Sequence, residues 1–356
     1  FRGSVSSGRE GATETGFSSK SYNAIFYFVP KDKSNFKFLK WIVIGNVLQY
    51  IYCKNIPLIS VVFLSQGNYR DFSGIPVFGV ILASFSIVVS LHFFHQYLCH
   101  KDTKLLVYFF AILSFQLLNI NRGYLLMMLS SIFVMYLAKI KVIRLKLLFR
   151  TLLASIMILF LFGVLGNIRN VVSQDDSSYI LKVGGASQSF IDSNIPHELY
   201  WPYLYIASAL GNLNNLVKNM EPVHTEDNLT LFVKTNFFPD FISKRLITEK
   251  EMESHDFSSY FVTELLNAPT VYYNPYFLFG CIGMYLKFFS MIFFVFLFKN
   301  LIKRNSPYCL SGMVYMGALM LFCPFNNMWY GGLTTLILMV FMSKYKNYRI
   351  VYGKGC

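Results

Sequence analysis

The residues of this 356-residue chain best suited to chemistry are isolated cations. Arg70, Arg122, Arg169 and Arg245 stand apart from the basic runs, and Lys287 lies inside the apolar stretch YLKFFSMIFFVFLF. Arginine stays charged and offers a planar fork of donors that fits phosphate oxygens two at a time. Arg122, in NINRGYLL, and Arg169, in FGVLGNIRN, lie close to Gly123 and Gly166, and as a pair they suit a diphosphate. Taken singly, each would equally well snorkel to lipid phosphates. An ionisable group such as Lys287 inside an apolar segment is a site candidate unless a break in its helix brings it nearer water. For proton transfer the chain offers His224 in HTED and His255 in SHD, each beside acids that tune an imidazole, together with His197 and Glu264 in SYFVTELL.

Missing motifs narrow the chemistry. There is no phosphate-cradling GxxxxGK, no GxGxxG and no HExxH, and Asp175–Asp176 are adjacent rather than spaced as a metal-holding DxD. The six cysteines are scattered in or beside apolar runs without a CxxC. The expectation is chemistry without metal or cofactor.

These residues must be positioned by apolar elements. Hydrophobic residues make up 54% of the chain and charged ones only 14%, about half the charge of an ordinary soluble domain. Eight apolar runs lie near 38–62, 75–98, 104–120, 123–138, 147–166, 275–298, 308–324 and 329–343. Since a spanning helix needs about 20 apolar residues, the predicted fold is an all-α polytopic membrane protein with about eight transmembrane helices. The first run is expected to break near Lys54 and Pro57. The net charge of +14 resides in short runs between apolar stretches, which is a topology signal and argues against nucleic acid.

Orientation follows from those runs. KIKVIRLKLLFR (139–150), KNLIKRN (299–305) and the tail after Lys344 belong on the cytoplasmic side. Strict alternation then places Lys31–Lys40 and HKDTK inside as well, and residues 65–74, 121–122, 167–270 and 325–328 outside. The organisation reads as a polar segment 1–30, five spans over 31–166, a large periplasmic loop 167–270, three spans over 271–345 and a cytoplasmic tail 346–356. The loop holds thirteen of the eighteen acids against seven Lys and Arg, so Arg169 lies outside, against the usual trend. Its WPYLYIASALGNLNNLVKNM stretch repeats Leu204, Ala207, Leu210, Leu213 and Val217 at helical spacing, and LTLFVKTNFFPDFI is apolar enough to reach the membrane interface.

In YRDFSGIPVFGV (69–80), the NRGYLL turn, the span exit LGNIRN and YNPYFLFGCIGM (273–284), the chain resembles the bacterial O-antigen and capsule repeat-unit polymerases. The resemblance implies a membrane-embedded, GT-C-like, metal-independent glycosyltransferase in the bacterial inner membrane. It implies undecaprenyl-diphosphate-linked oligosaccharides as substrates, with further spans ahead of Phe1 and with membrane lipids, a chain-length regulator and a flippase as partners. Arg122 and Arg169 match the family's outward arginines and would stabilise the leaving diphosphate. Arg70, Arg245 and Lys287 would assist binding, and Glu264 and His255 would handle the proton. Two alternatives stay open. One is a transporter or flippase of lipid-linked sugars, to which Lys287 lends footing. The other is an O-antigen ligase or membrane acyltransferase, although the segment NAPTVYYNPYFLFG lacks the ligases' histidine and only His92 and His95 form a pair within a span.

Overall fold

The computed structural model describes residues 29, 35–62, 74–140, 145–174, 179–221, 226–248, 251, 255–263, 266–325 and 327–345, and among them the chain is helical with no strand. The helices are α1 (Asn35–Cys53), α2 (Pro57–Val62), α3 (Phe78–His100), α4 (Thr103–Leu118), α5 (Arg122–Lys139) and α6 (Leu145–Gln174). The loop supplies α7 (Tyr179–Val183), α8 (Gln188–Ile191), a 3-10 turn at His197–Leu199, α9 (Tyr200–Asn219), α10 (Glu226–Asn236) and α11 (Asp240–Leu246). The chain then returns to the bundle through α12 (Tyr273–Leu301), α13 (Tyr308–Phe322) and α14 (Trp329–Tyr345).

Each predicted apolar run after the first falls on one of these helices, and the first is divided between α1 and α2. Three stretches have both the length and the hydropathy to cross a membrane: Phe78–His100, Phe149–Asn167 within α6, and Tyr273–Leu301. These are the features of a helical membrane protein. The face of α6 bearing Leu152, Leu153 and Met157 is exposed along its length, an environment suited to hydrocarbon rather than water.

At the centre of the bundle is α3, whose Ile87, Val88 and Leu91 are fully buried against α5, α13 and α14 through Met128, Met135, Val314, Leu319 and Met339. The expected break of the first run is present: α1 stops at Cys53, Lys54 takes a left-handed conformation (φ 52°), and Pro57 opens α2, where its missing N–H is not needed.

The loop is a layer of helices on one end of the bundle. Its largest member, α9, packs on α6 and reaches α12 through Leu216 against Tyr273 and Tyr276. The buried stripe on α9 differs in phase from the one expected from spacing. Leu210 and Val217 are exposed, whereas Trp201, Leu204, Asn212 and Leu216 face inward. The reason is a polar brace: Asn212 Nδ2 donates to the Leu266 carbonyl at 2.8 Å, and its Oδ1 accepts from the Val262 amide at 2.8 Å. A carboxamide satisfied at both ends belongs inside, and it rotates the helix relative to a purely apolar reading. In LTLFVKTNFFPDFI, Leu231 and Phe232 are buried against Leu278 and Phe279 of α12, while Leu229, Val233, Phe237 and Phe238 stay exposed.

Two further features bear on the site. Helix α6 runs eight residues beyond the predicted span end at 166, so Arg169 belongs to a helical extension rather than to a loop start. Helix α12 is interrupted at Gly280 (φ 58°, ψ −142°), a conformation essentially confined to glycine. The chain folds back there so tightly that a Cβ on Gly283 would sit 1.9 Å from the Pro275 carbonyl oxygen.

Candidate functional site

The turn from α4 into α5 carries the site. Ile120 N–H donates to the Leu117 carbonyl at 2.9 Å and Asn121 N–H to Gln116 at 3.1 Å, the paired bonds of a Schellman helix end. The left-handed position of that motif is ordinarily glycine, but here it is Ile120 (φ 50°). A β-branched residue in this region costs about 1–2 kcal/mol, so the surrounding packing must over-determine the turn. Two residues on, Arg122 starts α5 with only 6% of its surface exposed.

Its guanidinium sits in an aromatic cage. The Cζ atom lies 5.3 Å from the Phe162 ring centroid on α6, and 5.4 Å and 5.7 Å from those of Trp201 and Tyr205 on α9. Cation–π attraction at these distances offsets part of the desolvation of the charge. Nη2 donates to the Tyr205 hydroxyl at 3.2 Å, while Nη1 is buried without a hydrogen-bond partner. Among the described residues no carboxylate pairs with this arginine. Trp201 is held in turn by donating its Nε1–H to Asn167 Oδ1 at 2.6 Å.

Two glycines of α6 make this close approach possible. A Cβ on Gly163 would meet the Glu198 carbonyl oxygen at 2.0 Å, and one on Gly166 would meet the Trp201 ring at 2.8 Å and Arg122 Nη1 at 2.9 Å. The unpartnered donor therefore lies directly over Gly166. Beside it opens a cavity of about 380 Å³ between α5, α6, α9 and α13, walled by Arg122, Phe162, Tyr205, Leu126, Leu159 and Leu321. Such a site offers one permanent cation, one free donor and apolar walls. That combination suits an anionic head attached to an apolar chain.

The remaining predicted site residues are dispersed. Arg169 lies on α6 one helical turn past Gly166 and so shares its face by register, with its side chain outside the described residues. Arg70, Glu264 and His224 also fall outside the described residues. Arg245 is exposed in the last turn of α11 and donates to the Phe241 carbonyl of its own helix. His197 is exposed and faces the Ile191 carbonyl at 3.3 Å.

His255 braces the loop against the bundle. Nδ1 faces the Glu251 carbonyl at 3.1 Å, and Nε2 faces Asn228 Oδ1 at 2.9 Å, while Asn228 Nδ2 donates to the Leu278 carbonyl at 3.0 Å. Neighbouring Glu251 binds Lys234 at 2.6 Å and accepts from the Thr248 amide and hydroxyl, contacts that pull its carboxyl from the ordinary value near 4.5 down to about 2. Hydrogen bonds from the Ser258 hydroxyl and amide likewise hold the exposed Asp256 carboxyl below its usual range.

Lys287 forms a second cage inside the bundle. It is fully buried, with Nζ unpartnered and lying 5.3 Å from the Trp329 and 5.6 Å from the Tyr330 ring centroids. Counting from the break at Gly280, it is about 10 Å along the continuous part of α12. His92 is fully buried, stacks on Tyr308 with centroids 4.7 Å apart and lies 3.2 Å from Gln96, an arrangement of bundle packing.

Sequence reasoning located Arg122 but missed Phe162, Trp201 and Tyr205 as its partners. The available signal was the aromatic WPYLY start of an amphipathic helix, matched by the small residues Gly163 and Gly166 three apart on α6. No protein-family model matches the chain, and no curated protein and no solved structure is similar to it.

Proposed function

We propose that this chain polymerises lipid-diphosphate-linked oligosaccharide repeat units at the outer face of a bacterial inner membrane. The observation that carries the reading is Arg122. A buried, permanently charged fork with one free donor over Gly166, at the edge of a largely apolar cavity, suits a prenyl diphosphate. In the transfer, the bond from the anomeric carbon of the growing glycan to its phosphate oxygen breaks, and the diphosphate leaves with the electron pair. A hydroxyl of the incoming unit forms the new bond and gives its proton to a base. Arg122 stabilises the charge that develops on the leaving oxygen, where a fixed cation in a dry site acts most strongly. Arg169, one turn along α6, is the second cation. Of the two proton acceptors, His255 has both ring nitrogens engaged, which favours Glu264.

The test is to delete the gene in its host, restore it as wild type, R122A or R122K, and run the surface polysaccharide on a gel. The expected result is loss of the long ladder with single repeat units still exported, and poor rescue by lysine because the fork is lost. Wild-type ladders from both variants would sink the assignment. One observation favours the transport alternative: α12 is discontinuous at Gly280, as transporter helices are near their substrates. That reading expects no repeat units outside.

A further inference from the structure

Adjoining the Arg122 cavity is a second one of different chemistry. It measures about 370 Å³, within the range of small-ligand sites, and lies between α1, the start of α3 and the end of α4. Ile120 and Asn121 line both cavities, so the two meet at the strained turn. Among the described residues the polar lining consists of the carboxamides of Asn46, Gln49, Gln116, Asn119 and Asn121, with Ser86, and no charged side chain.

These amides are only partly satisfied by one another. Asn119 Nδ2 donates to Asn46 Oδ1 at 3.0 Å, and Asn46 Nδ2 donates to the Ile42 carbonyl at 2.8 Å. Asn119 Oδ1 and Gln116 Oε1 are buried acceptors without a partner, and Gln116 is only 2% exposed. Backbone in the left-handed region also gathers here: Gly74 (φ 58°), Val77 (φ 66°) and Ile120 (φ 50°) all belong to the lining. A Cβ on Gly74 would lie 2.8 Å from Gln49 Oε1, so glycine gives that carboxamide its room.

We propose that this cavity binds an uncharged polyol, a neutral pyranose ring. Carboxamides donate and accept as hydroxyls do, and the two open carbonyls await donors. A uronate or an amino sugar would bury a charge that no described lining residue pairs, so the lining favours a neutral ring over both. Its junction with the Arg122 cavity makes it the seat of the sugar nearest the diphosphate. That last placement rests on the diphosphate reading of Arg122, whereas the polyol site stands apart from it.

The test uses the full chain in phosphatidylcholine nanodiscs, which keep sugar-headed detergents away. Saturation-transfer NMR is recorded with methyl glucoside, methyl galactoside, methyl glucuronide and glycerol. Signals are expected from the neutral pyranosides and not from the glucuronide, with glycerol at least tenfold weaker. Equal response to glycerol would assign the site to lipid headgroups and overturn the sugar reading, as would an equal response to the glucuronide or no signal at all. Q116M and Q49M are expected to weaken pyranoside binding roughly tenfold, and Q116M should melt at or above the wild-type temperature, because an apolar isostere removes the orphaned carbonyl. If both variants still bind as the wild type does, the amides are packing residues and the inference falls. R122A separates the two readings: it should keep the pyranoside signal and lose undecaprenyl diphosphate. Retained diphosphate binding would sink the Arg122 assignment and leave the polyol site standing.

Discussion

Arg122 and Lys287 are both buried cations under aromatic rings with an unpartnered nitrogen, yet their surroundings differ. Arg122 lies on the seam between the bundle and the loop helices, and a cavity opens beside it. Lys287 is enclosed by Trp329 and Tyr330 within the bundle. A lysine amine can exist uncharged in such a place, whereas a guanidinium cannot shed its proton. The sealed cage therefore suits lysine, and the caged arginine calls for an anion. Burial and aromatic contact are common to both, and access to space is what marks the site.

The largest expected effect comes from breaking the open cage. R122A should lower polymerisation by about 10²–10³, the usual loss when one preorganised charge stabiliser is removed, with protein abundance in the membrane unchanged. K287M is the counterpart. Replacing the sealed ammonium with an apolar chain of similar length should leave ladders within a few fold of wild type and the melting temperature equal or higher. Loss of all exported repeat units in K287M would reverse the ranking and favour transport.

Next comes the seam itself. G163A places a methyl against the Glu198 backbone, which has no flexible end to yield, and should cost about 1–3 kcal/mol by displacing the start of α9. Limited proteolysis should then cut the loop faster while α3, α5, α13 and α14 stay protected. Unchanged cleavage would mean that the seam is looser than its geometry. The smallest effect belongs to E251Q. Because the carboxyl is held at about 2, its pair with Lys234 contributes fully above about pH 4.5 and fades as the pH falls toward 2. The substitution should flatten that acid limb of loop stability while changing neutral-pH stability by at most about 1 kcal/mol, since the pair is partly exposed.

Much of this was legible along the chain. The apolar runs mark the helices because hydrophobic length and helical rise are local properties. Lys54 and Pro57 announce the break in the first run, and NRGYLL and LGNIRN single out the two segments that converge. The phase of α9 was not legible, because Asn212 is buried by partners at Val262 and Leu266, about 50 residues away. Whether the helix of Lys287 is broken was left open by its glycines, and only the fold-back at Gly280 shows that it is.

By itself the sequence determined an all-helical chain, apolar enough for a membrane, with a folded acidic loop and a few cations out of place. Only the tertiary structure decided which cation meets a cavity. Tyr205 reaches Arg122 across 83 residues, and the amides of the second cavity come from α1, α4 and the turn into α5. Periodicity states that a helix has a face to bury, whereas the partner of that face is set by packing among segments that no local pattern connects.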